Sequence, residues 1–215
     1  MTRLRTVCVL GALLWPCVVS SQPVEWVTIG RNVHGFHEDV FRDQKIGLEQ
    51  FVVSDVEILV EIIGIPNAAK INALRLQIRR STGLRDAVAY AGQGYRTIVY
   101  DPVWAASNTA DFYLILGHEA GHLFCGHDDV PQSQEIELEA DRFGGASIKR
   151  FEIYHNRSFF GAVLAAAAAR YPESATAFHP SRAARLEALK KGYEQGSPCG
   201  NLAPVLQSGF SRGPR

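Results

Sequence analysis

The chain has only four cysteines in 215 residues, Cys8, Cys17, Cys125 and Cys199, and no two of them stand close enough to clasp a metal between them. This spacing argues against a cysteine-built zinc site. It also has no excess of charge, with 22 Lys and Arg against 22 Asp and Glu, which argues against a nucleic-acid partner. Long apolar runs are missing from the body of the chain, so no stable membrane span is expected there. There is no internal repeat, no phosphate-binding glycine loop, and no serine or cysteine nucleophile motif. What is present is a length suited to one domain and 47% apolar residues, enough for an ordinary globular core.

The N-terminus joins a basic MTRLR to the apolar run TVCVLGALLWPCVV and then to SSQP. A basic start, a short apolar stretch and small residues near Ser20 and Ser21 are the parts of a secretory signal peptide, and Pro16 makes the run a poor spanning helix. Leu14-Trp15-Pro16 before Cys17 lacks the small residues of a lipoprotein site. Residues 1–21 are therefore read as a signal peptide and the mature protein as exported, periplasmic or secreted. Without Arg3 and Arg5 the balance becomes 20 basic to 22 acidic residues, a net charge of −2. In an oxidising compartment Cys125 and Cys199 can pair; the alternative is a buried thiol and a loose one.

Residues 22–52 are mixed and polar and form an arm, a propeptide or a part of the fold; His34 and His37 have no periodic frame and read as surface residues. Residues 53–195 are read as the domain proper, and the Gly, Pro and Ser content of 196–215 as a loose tail. Val56, Leu59, Val60 and Ile63 have helical spacing after Ser54-Asp55, although a strand also fits. Leu74, Leu76 and Ile78 alternate with polar residues as a half-exposed strand. AVAYA at 87–91 and YRTIVY at 95–100, joined across Gly92-Gln93-Gly94, predict a hairpin. The expected class is α+β: a small antiparallel sheet, whose edge can hold an extended peptide by main-chain pairing, followed by helices. The alanine-rich 159–170 reads as a packed core helix, and His179-Pro180-Ser181 start a last helix bearing Ala184, Leu186, Leu189 and Tyr193.

Residues 117–127 read GHEAGHLFCGH and contain an HExxH motif, His118, Glu119 and His122. On a helix, histidines at i and i+4 share a face and can offer two imidazole nitrogens to one Zn²⁺, with Glu119 beside the open coordination position. Phe112, Ile115, Leu116 and Leu123 give that helix a buried face. Ser107 or Asn108 can cap its start, Gly126 can end it, and Gly117, Ala120 and Gly121 leave room for a neighbouring helix. A catalytic zinc takes a third protein ligand. The metzincin pattern requires a glycine at the eighth position and a histidine at the eleventh; here Cys125 and Asp128 stand there, and His127 comes one residue early. The second pattern takes a glutamate from a following helix, and SQEIELEADRFGGASI at 133–148 supplies one. Ser133 can cap it; Ile136, Ala140, Phe143 and Ile148 form its buried stripe. Glu137 and Asp141 share a face, which suits Glu137 as metal ligand and Asp141 as acceptor of a ligand histidine's ring N–H.

HExxH with a histidine five residues on, ELEADRF with its ExxAD, and HPSRAAR at 179–185 with its HPxxxxR together resemble the gluzincin zinc metalloproteases of the CAAX prenyl protease and HtpX-like type, with their small soluble minigluzincin relatives. The resemblance covers about residues 85–190. It implies a zincin-like fold, one Zn²⁺ per chain on His118, His122 and Glu137, Glu119 as general base, and Asp141 as outer carboxylate. His179 and Arg185 match the late family motif near the active site and are expected to stabilise an oxyanion; His127 has a family counterpart that is not a ligand. The chain departs from the membrane-bound relatives in lacking transmembrane helices in its body, and its short interval between His122 and Glu137 leaves little room for a covering insertion. The expected function is an exported zinc endopeptidase acting on protein or peptide substrates. The alternatives are a zinc-binding chaperone or interaction module, and an antirepressor-type regulatory protease.

Overall fold

Side chains alternate between two environments along the strands, and the helices follow in sequence, so the chain has mixed α+β architecture. The computed structural model describes residues 25–28, 33–34, 45–49, 55, 57–59, 75–92, 95–127 and 130–195. The signal segment 1–21, most of the arm 22–52, His37, and the tail 196–215 with Cys199 lie outside the described residues. The strands are β1 (Glu25–Thr28), β2 (Val33–His34), β3 (Lys45–Leu48), β4 (Leu76–Arg80), β5 (Ala87–Gly92) and β6 (Tyr95–Tyr100). They precede α1 (Pro102–Ser107), α2 (Thr109–Cys125), α3 (Gln134–His155), α4 (Phe160–Arg170) and α5 (Arg182–Gln195). Asp55 and residues 57–59 are helical, which favours the helix over the strand for that segment.

Strands β1 and β3 pair with each other, and the main sheet has the order β2-β5-β6-β4. The predicted hairpin is β5 and β6, antiparallel from Ala87↔Tyr100 to Gly92↔Tyr95. The sheet as a whole is not antiparallel, however, because β4 runs parallel to β6 in the register Ile78↔Ile98. The reason lies in the link 81–86, which carries the chain past the end of β6 instead of turning it back beside β4. Gly83 and Arg85 take positive φ of 97° and 58°, and Asp101 Oδ2 accepts from the N–H groups of both residues at 2.8 and 3.0 Å. Asp101 Oδ1 also accepts from Val103 N at 2.8 Å, so one carboxylate anchors the crossover and caps α1. Alternation in the sequence identifies strands but not their partners. Nor is β5 an open edge throughout, since β2 pairs with it at Val33↔Tyr90 and His34↔Ala89.

The hairpin is buried on both faces. Val88 and Val99 pack against Ile46 and Leu48, while Ala87, Ala89, Ile98 and Tyr100 join the core formed with Ile115, Leu116 and Leu123 of α2. The other side of α2 meets α3 and α4, where Leu114 joins a cluster with Ile148, Val163, Ala167 and Leu189. Helix α2 is thus enclosed, which accounts for its unbroken burial from Leu114 to Cys125. Its start is less regular than expected: Asn108 holds the N-cap position, but its side chain donates back to Trp104 O and makes no cap bond. No helix of the described residues is long and apolar enough to cross a membrane.

Candidate metal centre

The two helices that carry the motif residues touch through small side chains. A Cβ on Gly121 would come within 2.8 Å of Ala140 Cα, and one on Gly117 within 3.0 Å of Gly144 Cα, so α2 and α3 meet nearly backbone to backbone. This approach brings Glu137 to the histidine face of α2. His118 Nε2 lies 3.3 Å from Glu137 Oε2, His122 Nε2 lies 3.3 Å from Glu137 Oε1, and the two Nε2 atoms are 2.9 Å apart. These spacings are close to those of three donors held at about 2.0–2.2 Å around one tetrahedral ion. All three residues are buried and form the His and carboxylate group able to hold a metal ion among the described residues. Glu135 is exposed and Glu139 half-buried, so the α3 register selects Glu137.

Asp141 lies one turn beyond Glu137 and is fully buried. Its Oδ1 is 3.0 Å from His118 Nδ1, and the same oxygen accepts from Tyr171 Oη at 2.9 Å. Arg185 closes the set, with Nε donating to Oδ2 at 2.7 Å and Nη2 to Oδ1 at 3.0 Å. Its guanidinium lies 4.0 Å from the Tyr171 ring centroid and 3.4 Å from Glu137 Oε2. Burial pushes the Asp141 carboxyl up, but the Arg185 charge and the bonds from His118 and Arg185 outweigh it and hold the group below the usual carboxylate range. A carboxylate can only accept, so Asp141 holds a His118 proton on Nδ1, and Nε2 is the nitrogen that can ligate a metal once the ring is neutral.

Burial opposes charge on His118, yet Glu137 and Asp141 raise it to about 9 in the metal-free protein. Glu137 is correspondingly held well below its ordinary value, against burial, by the two histidines. Glu119 differs in kind. Burial pushes it well above its ordinary value, Oε2 accepts from Ala89 N at 2.9 Å, and Oε1 is buried without a hydrogen-bond partner. Such an atom is costly to leave unsatisfied. Strand β5 thereby orients the glutamate and leaves one oxygen for a small polar molecule.

His122 has a different outer contact. Gly126 ends α2 with φ 73°, a conformation that turns the chain back, and the next residue, His127, places Nδ1 3.0 Å from His122 Nδ1. His127 Nε2 is 3.2 Å from Glu139 Oε2. Sequence reasoning placed His127 outside the ligand set and gave it no task. Nor did it single out Tyr171, which follows the alanine-rich helix with no motif around it.

The late-motif pair separates. Arg185 is buried and engaged on Asp141, with Nη2 also 3.2 Å from His118 Nδ1 and 3.4 Å from Glu137 Oε2. His179 is half-buried, and its bonds are those of a turn, its N–H donating to Thr176 Oγ1 at 2.9 Å and its carbonyl accepting from Thr176 N at 2.8 Å. No bond or ion pair joins the His179 side chain to the triad among the described residues. Cys125 is disulfide-bonded, and its expected partner Cys199 lies outside the described residues. No protein-family model matches the chain, and no curated protein or solved structure matches it. The likeness to gluzincins therefore rests on the motifs alone.

Proposed function

We propose that the chain is a zinc-dependent endopeptidase of gluzincin type, with His118, His122 and Glu137 as metal ligands and Glu119 as general base. The observation that carries this reading is convergence: two imidazole Nε2 atoms and one carboxylate meet at 2.9–3.3 Å beside a buried glutamate oxygen that has no partner. This donor set, two nitrogens and one oxygen, suits zinc. When bound, the ion supplies Lewis acidity to a substrate carbonyl and lowers the pKa of a water. The protein's own part follows from its contacts. Asp141 fixes the His118 tautomer, while Arg185 and Tyr171 hold Asp141. Glu119 takes the water proton on the oxygen left free by Ala89 and passes it to the leaving amine, a role helped by its raised pKa.

Arg185 serves this reading as a positioning residue, because its contacts are to Asp141, His118 Nδ1 and Glu137 Oε2. Protein or peptide substrates follow from the chemistry of the site. Export after removal of 1–21 is part of the proposal, and the disulfide at Cys125 fits an oxidising compartment.

The test combines zinc content and casein cleavage of the purified mature chain, with and without a chelator. Glu119→Gln is expected to retain about one zinc per chain and to lose hydrolysis, because a base that is not a ligand can be removed without emptying the site. Near-normal cleavage by that variant would overturn the mechanism, and a wild-type chain without zinc would overturn the metal assignment.

A further inference from the structure

Helix α3 carries four carboxylates in its first turns, Glu135, Glu137, Glu139 and Asp141, and they point in different directions. Glu137 faces the histidines, and Asp141, four residues on, stays on that face. Glu139, two residues on, is turned about 200° around the helix and cannot join them. It instead meets His127, which Gly126 has folded back from the end of α2. Two histidines of the motif thus have two separate outer carboxylates on one helix, one in direct contact and one across an intervening ring.

We propose that Glu139 and His127 form a relay that positions His122, fixing its Nδ1–H tautomer so that Nε2 is free to ligate the metal. The proposal rests on the metal reading above and adds two residues to it. The order of protons follows from the outer end inward. The Glu139 carboxylate only accepts, so the 3.2 Å contact to His127 requires an Nε2–H there. A neutral His127 then has a lone pair on Nδ1. The proton in the 3.0 Å contact between the two Nδ1 atoms therefore belongs to His122, which leaves Nε2 as its ligand nitrogen. His127 is 2% exposed, too enclosed for water to replace it easily, whereas the Glu139 side chain is 29% exposed. The ring is thus the critical member and the carboxylate the softer one.

Three measurements on the full mature chain test the relay. In zinc-loaded wild type, long-range ¹H–¹⁵N spectra are expected to show His122 protonated on Nδ1 and His127 on Nε2. His127→Phe, which keeps a ring but no acceptor, should weaken zinc binding by about 10–100-fold in chelator competition and alter the visible spectrum of the cobalt-substituted protein. His127→Asn keeps an oxygen acceptor near the Nδ1 position and should return both readouts towards wild type. Glu139→Gln, which still accepts, should bind zinc more tightly than Glu139→Ala. Thermal unfolding of the metal-free variants separates a positioning effect from a folding defect, since the zinc constants are compared only among variants with unchanged unfolding. A His127 proton found on Nδ1 overturns the relay, as does a His127→Phe variant with wild-type zinc affinity and cobalt spectrum. If wild type holds no zinc, the metal reading falls as a whole; if wild type holds zinc and only these comparisons fail, the relay alone falls.

Discussion

Arg185 shows how a residue recognised by motif takes its task from the side chains packed around it. It is 2% exposed, and its charge is matched by Asp141 through two bonds of 2.7 and 3.0 Å. Removing one member of such a pair leaves a buried charge uncompensated. Arg185→Ala is therefore expected to destabilise the protein by about 3–5 kcal/mol and to lower activity with it, where an exposed oxyanion donor would lower kcat alone. Parallel thermal unfolding and kinetics separate these outcomes. His118 gives a second prediction at this scale. In the metal-free protein its pKa is raised from 6.5 to about 9, with burial opposing and Glu137 and Asp141 prevailing. Its raised folded value gives a stability increment that is full below pH 6.5 and lost as pH rises through about 9. Zinc needs the neutral ring, so zinc binding should release a proton below about pH 9, and zinc affinity should fall as pH drops. Calorimetry in buffers of different ionisation enthalpy reads that proton, and proton-free binding at pH 7 would refute the assignment.

At the scale of elements, Asp101 holds the passage from sheet to helix. Its carboxylate accepts from Gly83, Arg85, Val103 and Trp104 N–H groups. Burial raises its pKa, but these four bonds outweigh it and leave the group below its ordinary 3.8. Asp101→Ala should cost about 2 kcal/mol, the upper end for a helix cap, because the crossover loses its anchor too. The sign with pH follows from the depressed value: the increment is present above pH 3.8 and disappears as pH falls through the folded pKa. Denaturant unfolding of wild type and variant at neutral pH and near pH 3 should show the gap narrowing. The α2 and α3 helices were legible at this scale, because Gly126 and Ser133 act as the terminal signals they resemble and Ile136, Ala140, Phe143 and Ile148 are all buried.

For the whole molecule, the candidate metal centre depends on α5 reaching α3, and two glycines decide that approach. A Cβ on Gly192 would lie 1.9 Å from Arg142 O, and one on Gly145 would lie 2.0 Å from Leu189 O. Backbones must separate before either fits. Gly192→Ala is expected to destabilise the protein by about 3 kcal/mol and to weaken zinc binding by drawing Arg185 away from Asp141. Gly161→Ala makes a contrast, since its Cβ meets nothing within 4 Å on the exposed first turn of α4. It should be neutral or stabilise by about 0.5–1 kcal/mol, the ordinary gain of alanine over glycine in a helix. Equal losses from the two substitutions would contradict the packing.

The sequence alone determined what local periodicity can encode: His118 and His122 on one helical face, Glu137 and Asp141 on another, the β5 and β6 hairpin, the end of α2 and the start of α3. These follow from spacings of two to five residues, over which chain geometry fixes direction. Tertiary structure decided the rest. That β4 lies parallel to β6 depends on a crossover pinned by a carboxylate some twenty residues away. That Tyr171 and Arg185 close around Asp141, and that His127 and Glu139 flank His122, depends on where α2, α3 and α5 cross. Crossing is set by small residues meeting across helices, and no spacing within one segment records which glycine will face which backbone.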